Sequence, residues 1–361
     1  MIHIVGIVGV PGSYGGFETL VDHLLESATI QADGCIVYCE EKVVANQGEK
    51  YKGAKLVPLK WRANGWQSIF FDLCAIWLAS RIGGKVLILG TSATFALPIY
   101  KFLFPQVHYI VNMAGLEWSR EKWGLVARIY LKFNERIAAK FSHSFITDNQ
   151  GLQDYIREKY NKDSIMIPYG GDQILDAISN PDVFSEFDLP EQFDFAMARA
   201  QIDNNMEIIL RAYAKSGLEL VYVSNWSSSR FGVEMLEKYA DIANLHLIGP
   251  IYDVGKIKAL YKRTRSYVHG HSAGGTNPVL VESMWARLPI LAFDVSFNRH
   301  TTENKAFYFT TPEDLAKISA ALTGAQRSDC ADMLFSVASN KYKWKHIRTA
   351  YEALLFNEDP R

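Results

Sequence analysis

Cysteine is scarce in this chain of 361 residues: Cys35, Cys39, Cys74 and Cys330 are the four, and no two form a Cys-x-x-Cys pair. That spacing argues against a disulfide framework or a cysteine zinc site and fits reduced, buried thiols. Neither sign of charge is in excess, with 38 lysines and arginines against 39 aspartates and glutamates, so nothing draws the whole molecule to nucleic acid. Long apolar runs are missing too. The two longest, 68–79 and 93–104, are interrupted by Asp72 and by Pro98 and Lys101, and both fall short of a membrane span. No secretory leader is expected, because the apolar start already contains strand and loop signals. A cytoplasmic protein is expected, at most peripheral on a membrane. The chain also lacks any Asp-x-Asp triplet, and His269 with His271 is only a two-ligand spacing, so neither a metal nor a cofactor is expected.

What the chain has in plenty is alternation. Strand-like runs recur at 35–39, 55–58, 86–89, 107–111, 144–147 and 165–167, with helical patterns between most of them. Such a series predicts a mostly parallel sheet covered by helices. Residues 173–190, rich in Pro, Asp and Ser, read as an inter-domain connection. A second series follows, with strands at 193–198, 219–223, 246–248, 266–269 and 288–293 and helices at 204–215, 233–240 and 254–263. The length leaves room for two separate cores. A last helical pattern, 341–356, carries Trp344, Ile347, Tyr351 and Leu354 on one side.

The most informative stretch runs from His269 to Glu282. A buried strand ends there, the turn Gly274-Gly275-Thr276-Asn277 follows, and a helix begins at Pro278. Glycines permit positive φ and close approach to a ligand, and the unpaired N–H groups of a helix start favour an anion. Glu282, one turn into the helix, is placed to accept hydrogen bonds from ribose hydroxyls. The plainer alternative is a tight strand-to-helix connection with a solvated Glu. A matching loop opens the chain: residues 1–10 read as a strand, then come Pro11-Gly12-Ser13-Tyr14-Gly15-Gly16-Phe17-Glu18 and a helical pattern. Gly9, Gly12 and Gly15 resemble a dinucleotide-binding turn, with Glu40 and Glu41 as its ribose acids. These acids lie about thirty residues from the first glycine instead of roughly twenty, and two glycine loops in two halves suit a cleft enzyme better.

In open parallel sheets ligands gather at the carboxyl ends of strands. By that rule Asn112 to Trp118, Asp148-Asn149 and Arg199 join the two loops. Asn149 reads as a helix cap, Asp148 as a cap or a catalytic acid, and Arg199 as a bridge to diphosphate oxygens.

These residues resemble glycosyltransferase family 4, in particular its bacterial polysaccharide rhamnosyltransferase branch. The likeness is carried by residues 9–19, by Gly115-Leu116-Glu117-Trp118, by Tyr169-Gly170-Gly171-Asp172, by residues 270–278 and by 294–304. It implies α/β GT-B architecture: two Rossmann-like domains facing across a cleft, an acceptor domain at 1–172, a nucleotide-sugar donor domain at 173–340, and a C-terminal helix at 341–361 crossing back to the first. It implies metal-independent transfer of a sugar with retention, a deoxysugar such as rhamnose being expected, onto a lipid-linked saccharide in bacterial surface polysaccharide synthesis. Carried over by position, Gly15, Gly16, Arg199, Asn204, His271, Gly274, Gly275, Thr276, Asn277 and Glu282 would bind donor. Tyr14, Glu18, Glu117 and Trp118 would meet the acceptor, and Glu117, Asp148 and Arg199 are the candidates for catalysis.

Three departures from the family pattern matter. Asp203-Asn204-Asn205 stands where the family has a lysine, Gly274 where it has a second glutamate, and Ala114 where many relatives have an acid or histidine. In front-side transfer the departing diphosphate oxygen can take the acceptor proton, so a protein base is helpful but dispensable. A non-catalytic nucleotide-sugar-binding partner of a related transferase is the alternative that Ala114 suggests. Finally, Arg128, Lys132, Arg136 and Lys140 recur every fourth residue on one predicted helix beside apolar neighbours. That face is either solvated or rests on anionic lipid.

Overall fold

The computed structural model describes residues 1–12, 15–113, 115–120 and 123–356. Tyr14, assigned to the acceptor, and Ala114, where an acid or histidine was expected, lie outside the described residues. The chain divides into two compact units. The first comprises Met1–Ser119, Trp123–Pro168 and Lys345–Arg361, and the second Arg120–Lys122 and Tyr169–Trp344.

The first unit is built on an eight-stranded sheet: β1 (Ile2–Val5), β2 (Cys35–Glu40), β3 (Lys50–Tyr51), β4 (Ala54–Leu59), β5 (Lys85–Leu89), β6 (His108–Asn112), β7 (Ser144–Thr147) and β8 (Ile165–Met166). Their order is β3-β4-β2-β1-β5-β6-β7-β8, and every adjacent pair is parallel except β3 with β4. Every residue of β1 and β2 is buried, the pattern of strands covered on both faces by helices. The opening strand is shorter than its apolar run. Gly6 stops it, with φ +100 and a position where any Cβ would run into the carbonyl of Leu89. Two residues of β3 turn back through Lys52 and Gly53, both at positive φ as a two-residue hairpin demands.

Residues 345–356 complete this unit. Ile347, Tyr351 and Leu355 are buried, at spacings of four, while Leu354, expected on the same side, is only half-buried. Asn112, at the end of β6, donates through Nδ2 to Tyr351 Oη at 2.6 Å.

The second unit holds a six-stranded, wholly parallel sheet: β9 (Phe193–Met197), β10 (Leu220–Val223), β11 (Leu245–Ile248), β12 (Thr264–His269), β13 (Ile290–Phe293) and β14 (Phe307–Phe309). Alternate residues of β10 enter opposite cores, Val221 and Val223 one, Leu220 and Tyr222 the other. The expected connection at 173–190 is part of this unit. Its short helices Gln173–Asp176 and Asp182–Phe187 bury Ile174 and Val183, the apolar residues set among the polar ones.

Strand order fixes where each unit can bind. In the second sheet, order β11-β10-β9-β12-β13-β14, the chain runs outward one way from β9 and the other way from β12. In the first the reversal falls between β1 and β5. Crevices beyond the carboxyl ends of such strand pairs are where ligands bind in sheets of this kind.

Candidate functional site

Arg199 follows β9 and the Gly270–Asn277 loop follows β12, so both stand at the reversal point of the second sheet. Gly274 and Gly275 have φ +85 and +82, a conformation that side chains resist. Asn277 then caps the Pro278–Trp285 helix, its side chain accepting the Val279 N–H at 3.0 Å, and Pro278 occupies the first turn, where no N–H is needed. The turn is built as its composition suggests.

A second segment braces this loop. Asn204 donates from Nδ2 to the Arg199 carbonyl at 2.8 Å, and its Oδ1 lies 2.9 Å from His271 Nδ1. Asn205, at φ +48, donates to the Gly270 carbonyl at 2.8 Å. Gly270 itself is pressed against the Asn204 carbonyl with no room for a Cβ. From the other side, buried Asn298 donates to the His271 carbonyl at 2.9 Å and to that of Phe293 at 2.8 Å. Asn204 and His271, expected on the donor, are thus tied to each other and to the backbone.

Charge around the loop is unevenly held. Arg120 is buried against Asp203, Nε and Nη2 reaching Oδ2 at 2.8 and 2.7 Å, and Nη2 also donates to Gln201 at 2.7 Å. Arg199 is exposed, and its guanidinium has no hydrogen-bond or ion-pair partner among the described residues. Burial lowers the pKa of His271 to about 4; Asp203 opposes the shift, and Arg120 and Arg199 reinforce it. Burial, reinforced by His271, takes His269 to about 3. Both rings are therefore neutral near pH 7, and Arg199 is, among the described residues around the loop, a cation open to an anion.

Glu282 lies on the Pro278–Trp285 helix. Tyr261 donates to its Oε1 and Gln173 to its Oε2, each at 2.9 Å, and Gln173 is in turn held by the Trp344 indole N–H at 2.7 Å. Burial raises the carboxyl pKa to about 7 in spite of these two donors. Gln173, Tyr261 and Arg120 were not legible as site residues, and Asp203 and Asn298 lay in stretches quoted for the resemblance without being assigned to the site. Arg120 lies 83 positions from Asp203, and no local pattern marks so distant a partner.

The residues assigned to the first unit are more dispersed. Gly15 caps the Gly16–Leu24 helix with extended backbone, φ −164, and Glu18 within that helix is buried, accepting the Val8 N–H at 3.0 Å. Glu18 therefore braces the loop after β1. Glu117 accepts the Trp123 indole N–H at 3.1 Å, and Lys132 Nζ stands 4.2 Å over the Trp118 ring. Asp148 is buried directly after β7, and Asn149 caps the next helix through the Gly151 N–H at 2.9 Å. Glu117 and Asp148 follow β6 and β7, one and two strands out from the reversal point. The loop that adjoins that point, after β5, contains Ser92, which donates to buried Asp72; neither was assigned to a site from sequence. Glu40, the ribose acid of the dinucleotide alternative, instead accepts the Ala63 N–H at 3.0 Å. Among the described residues there is no cluster of three or more His, Cys, Asp or Glu able to hold a metal ion.

Over 98% of its length this chain is similar to the sucrose-phosphate synthase of Thermosynechococcus elongatus, with 97% of that chain covered, TM-score 0.80 and 15% identity. The chain has the GT-B fold. A second GT-B structure, Anabaena Alr3699/HepE in complex with UDP and glucose, matches with TM-score 0.74 and 15% identity over 99% of both chains. WaaG, a glycosyltransferase involved in lipopolysaccharide biosynthesis, matches with TM-score 0.73 and 13% identity over 99% of this chain and 100% of that one. Residues 1–172 match the family model described as "Domain of unknown function (DUF1972)". No curated protein matches the chain.

Proposed function

We propose that the protein is a glycosyltransferase that takes a sugar from a nucleoside diphosphate sugar. The observation that carries this reading is the second unit's loop: two positive-φ glycines opening onto a capped helix, an exposed Arg199 beside them whose guanidinium has no partner among the described residues, and Glu282 one turn further on. Such a turn suits a diphosphate, Arg199 suits its charge, and Glu282 suits a ribose. Donors of this class agree with the UDP and glucose held by the similar HepE structure. The finer assignments follow the family 4 resemblance: a retaining, metal-independent transfer of a deoxysugar such as rhamnose onto a lipid-linked saccharide at a membrane surface. Gly15, Gly16 and Glu18 would serve the first unit's side, with Glu117 or Asp148 assisting the acceptor.

Calorimetry with a panel of nucleoside diphosphate sugars tests the donor site. Arg199→Ala and Glu282→Ala should each weaken binding of the preferred donor roughly ten- to a hundredfold, the loss of a charge-assisted hydrogen bond worth about 1.5–3 kcal/mol. Unchanged affinity in a folded variant removes that residue from the site. Donor binding without transfer to any lipid-linked saccharide would select the non-catalytic partner instead.

A further inference from the structure

Three helices of the first unit, Ser68–Ile82, Leu97–Leu103 and Leu125–Phe141, turn apolar side chains outward. They are neighbours. Trp77 sets its ring 6.2 Å from Tyr100 and 5.3 Å from Phe104, Tyr100 Oη donates to the Leu73 carbonyl at 3.0 Å, and Leu97–Leu103 packs on Leu125–Phe141. Ile99, Phe102 and Leu103 are 60, 84 and 49% exposed, at a spacing that puts them on one side of their helix. On the next helix Leu125, Val126, Ile129 and Phe133 are 74, 82, 62 and 52% exposed. Exposed apolar side chains gathered on three helices packed side by side mark an interaction site.

Charge identifies the occupant. The three helices carry Arg81, Lys101, Arg128, Lys132, Arg136 and Lys140 against only two acids, Asp72 and Glu135. Both acids point inward, 5 and 2% exposed, the first bonded by Ser92 and the second by the hydroxyls of Tyr155 and Tyr160 at 2.7 Å each. Every charge these helices leave at their surface is positive, on a chain whose net charge is −1. The basic residues do not form one column, because four-residue steps drift about 40° around a helix. Arg128 is half-buried and donates to the Trp123 carbonyl at 2.8 Å, and Lys132 is half-buried over Trp118. Arg136 and Lys140 are exposed and come round onto the outward stripe of Ile129 and Phe133.

We propose that this face docks the first unit on an anionic lipid bilayer. Ile99, Phe102, Val126 and Phe133 enter the boundary between headgroups and acyl chains, while Lys101, Arg136 and Lys140 meet headgroup phosphates. A second copy of the chain is disfavoured as the occupant, since apposing two such faces would set like charges against each other. The inference names the lipid-contacting surface in the membrane reading given above, and its test uses neither donor nor acceptor. A failed vesicle assay and a failed transfer assay are therefore separate results.

Sedimentation with vesicles of phosphatidylcholine alone, and of phosphatidylcholine mixed with phosphatidylglycerol, tests the proposal. The wild type should bind the mixed vesicles at least about tenfold more tightly. Arg136→Gln with Lys140→Gln should lower that binding by about tenfold or more, and Ile99→Ser, Phe102→Ser and Val126→Ser together by a similar factor. These positions are exposed, so an unchanged melting temperature is expected to accompany the loss. An environment-sensitive dye on Phe102→Cys should brighten with mixed vesicles and not with neutral ones. Equal binding to both vesicle types, full binding by the folded apolar variant, or an unresponsive dye overturns the proposal. So does a dimer in solution that the same serine substitutions dissociate.

Discussion

Glu282 has a hydrogen-bond donor on each carboxylate oxygen and still a pKa raised to about 7, because burial outweighs both. A carboxyl whose folded pKa lies above its unfolded value favours the folded state below the unfolded pKa, near 4.5, and this advantage is lost as pH rises towards 7. Glu282→Gln keeps the shape and removes the charge. The variant should therefore match the wild type in stability below pH 4.5 and exceed it at pH 8, by on the order of 2–3 kcal/mol, in denaturant titrations at the two pH values. Equal stability at pH 8 would mean that the ionised carboxylate is better solvated than its surroundings suggest. Such a gain in stability alongside weaker donor binding is the exchange expected of a charge kept for a ligand. The sequence revealed Glu282 through its place after a glycine turn. It gave no sign of Tyr261 or Gln173, which come from other segments of the chain.

Elements differ in how far their local sequence determines them. The Gly274–Asn277 turn was readable because positive φ, a cap and a helix-starting proline are each properties of single residues. The end of β1 was not, since Gly6 is fixed by the carbonyl of Leu89 on another strand. Likewise Tyr169-Gly170-Gly171-Asp172 stood out as a motif, yet its work is packing: Gly170 makes room for the Trp344 ring, and Asp172 accepts the Trp344 N–H at 2.8 Å. Two glycines separate strain from binding. Gly275→Ala and Gly217→Ala both force a side chain to positive φ, +82 and +70, so both should lose about 1–2 kcal/mol of stability. Gly217 ends the Met206–Ser216 helix, whose start adjoins the loop. Nucleoside diphosphate affinity should fall in Gly275→Ala and persist in Gly217→Ala, and equal losses in calorimetry would deny the turn its role in binding.

At the scale of the whole molecule, alternation in the sequence was enough to announce two parallel sheets, but strand order was not readable, because long-range pairing leaves no local pattern. That order is what moves attention in the first unit from Glu117 and Asp148 to the loop after β5. Residues 345–356 are a further long-range dependence. Ending the chain at Trp344 would strip Ile347, Tyr351 and Leu355 from the first unit, each worth about 1.5–3 kcal/mol of burial against a typical net stability of about 5–15 kcal/mol. Scanning calorimetry should then show the first unit's transition lost and the second unit's still raised by nucleoside diphosphate. Tyr351→Phe, which leaves the buried Asn112 amide without its acceptor, should cost about 1–3 kcal/mol.

The same arrangement has a consequence for synthesis on the ribosome. The strands of the first unit emerge before residue 169, but the segment that covers Asn112 follows only after residues 169–344 have been made. At about 5–20 residues per second that delay is roughly 9–35 s. Throughout it the nascent first sheet presents an uncovered apolar patch, which closes only once residues 345–356 have been made and have packed.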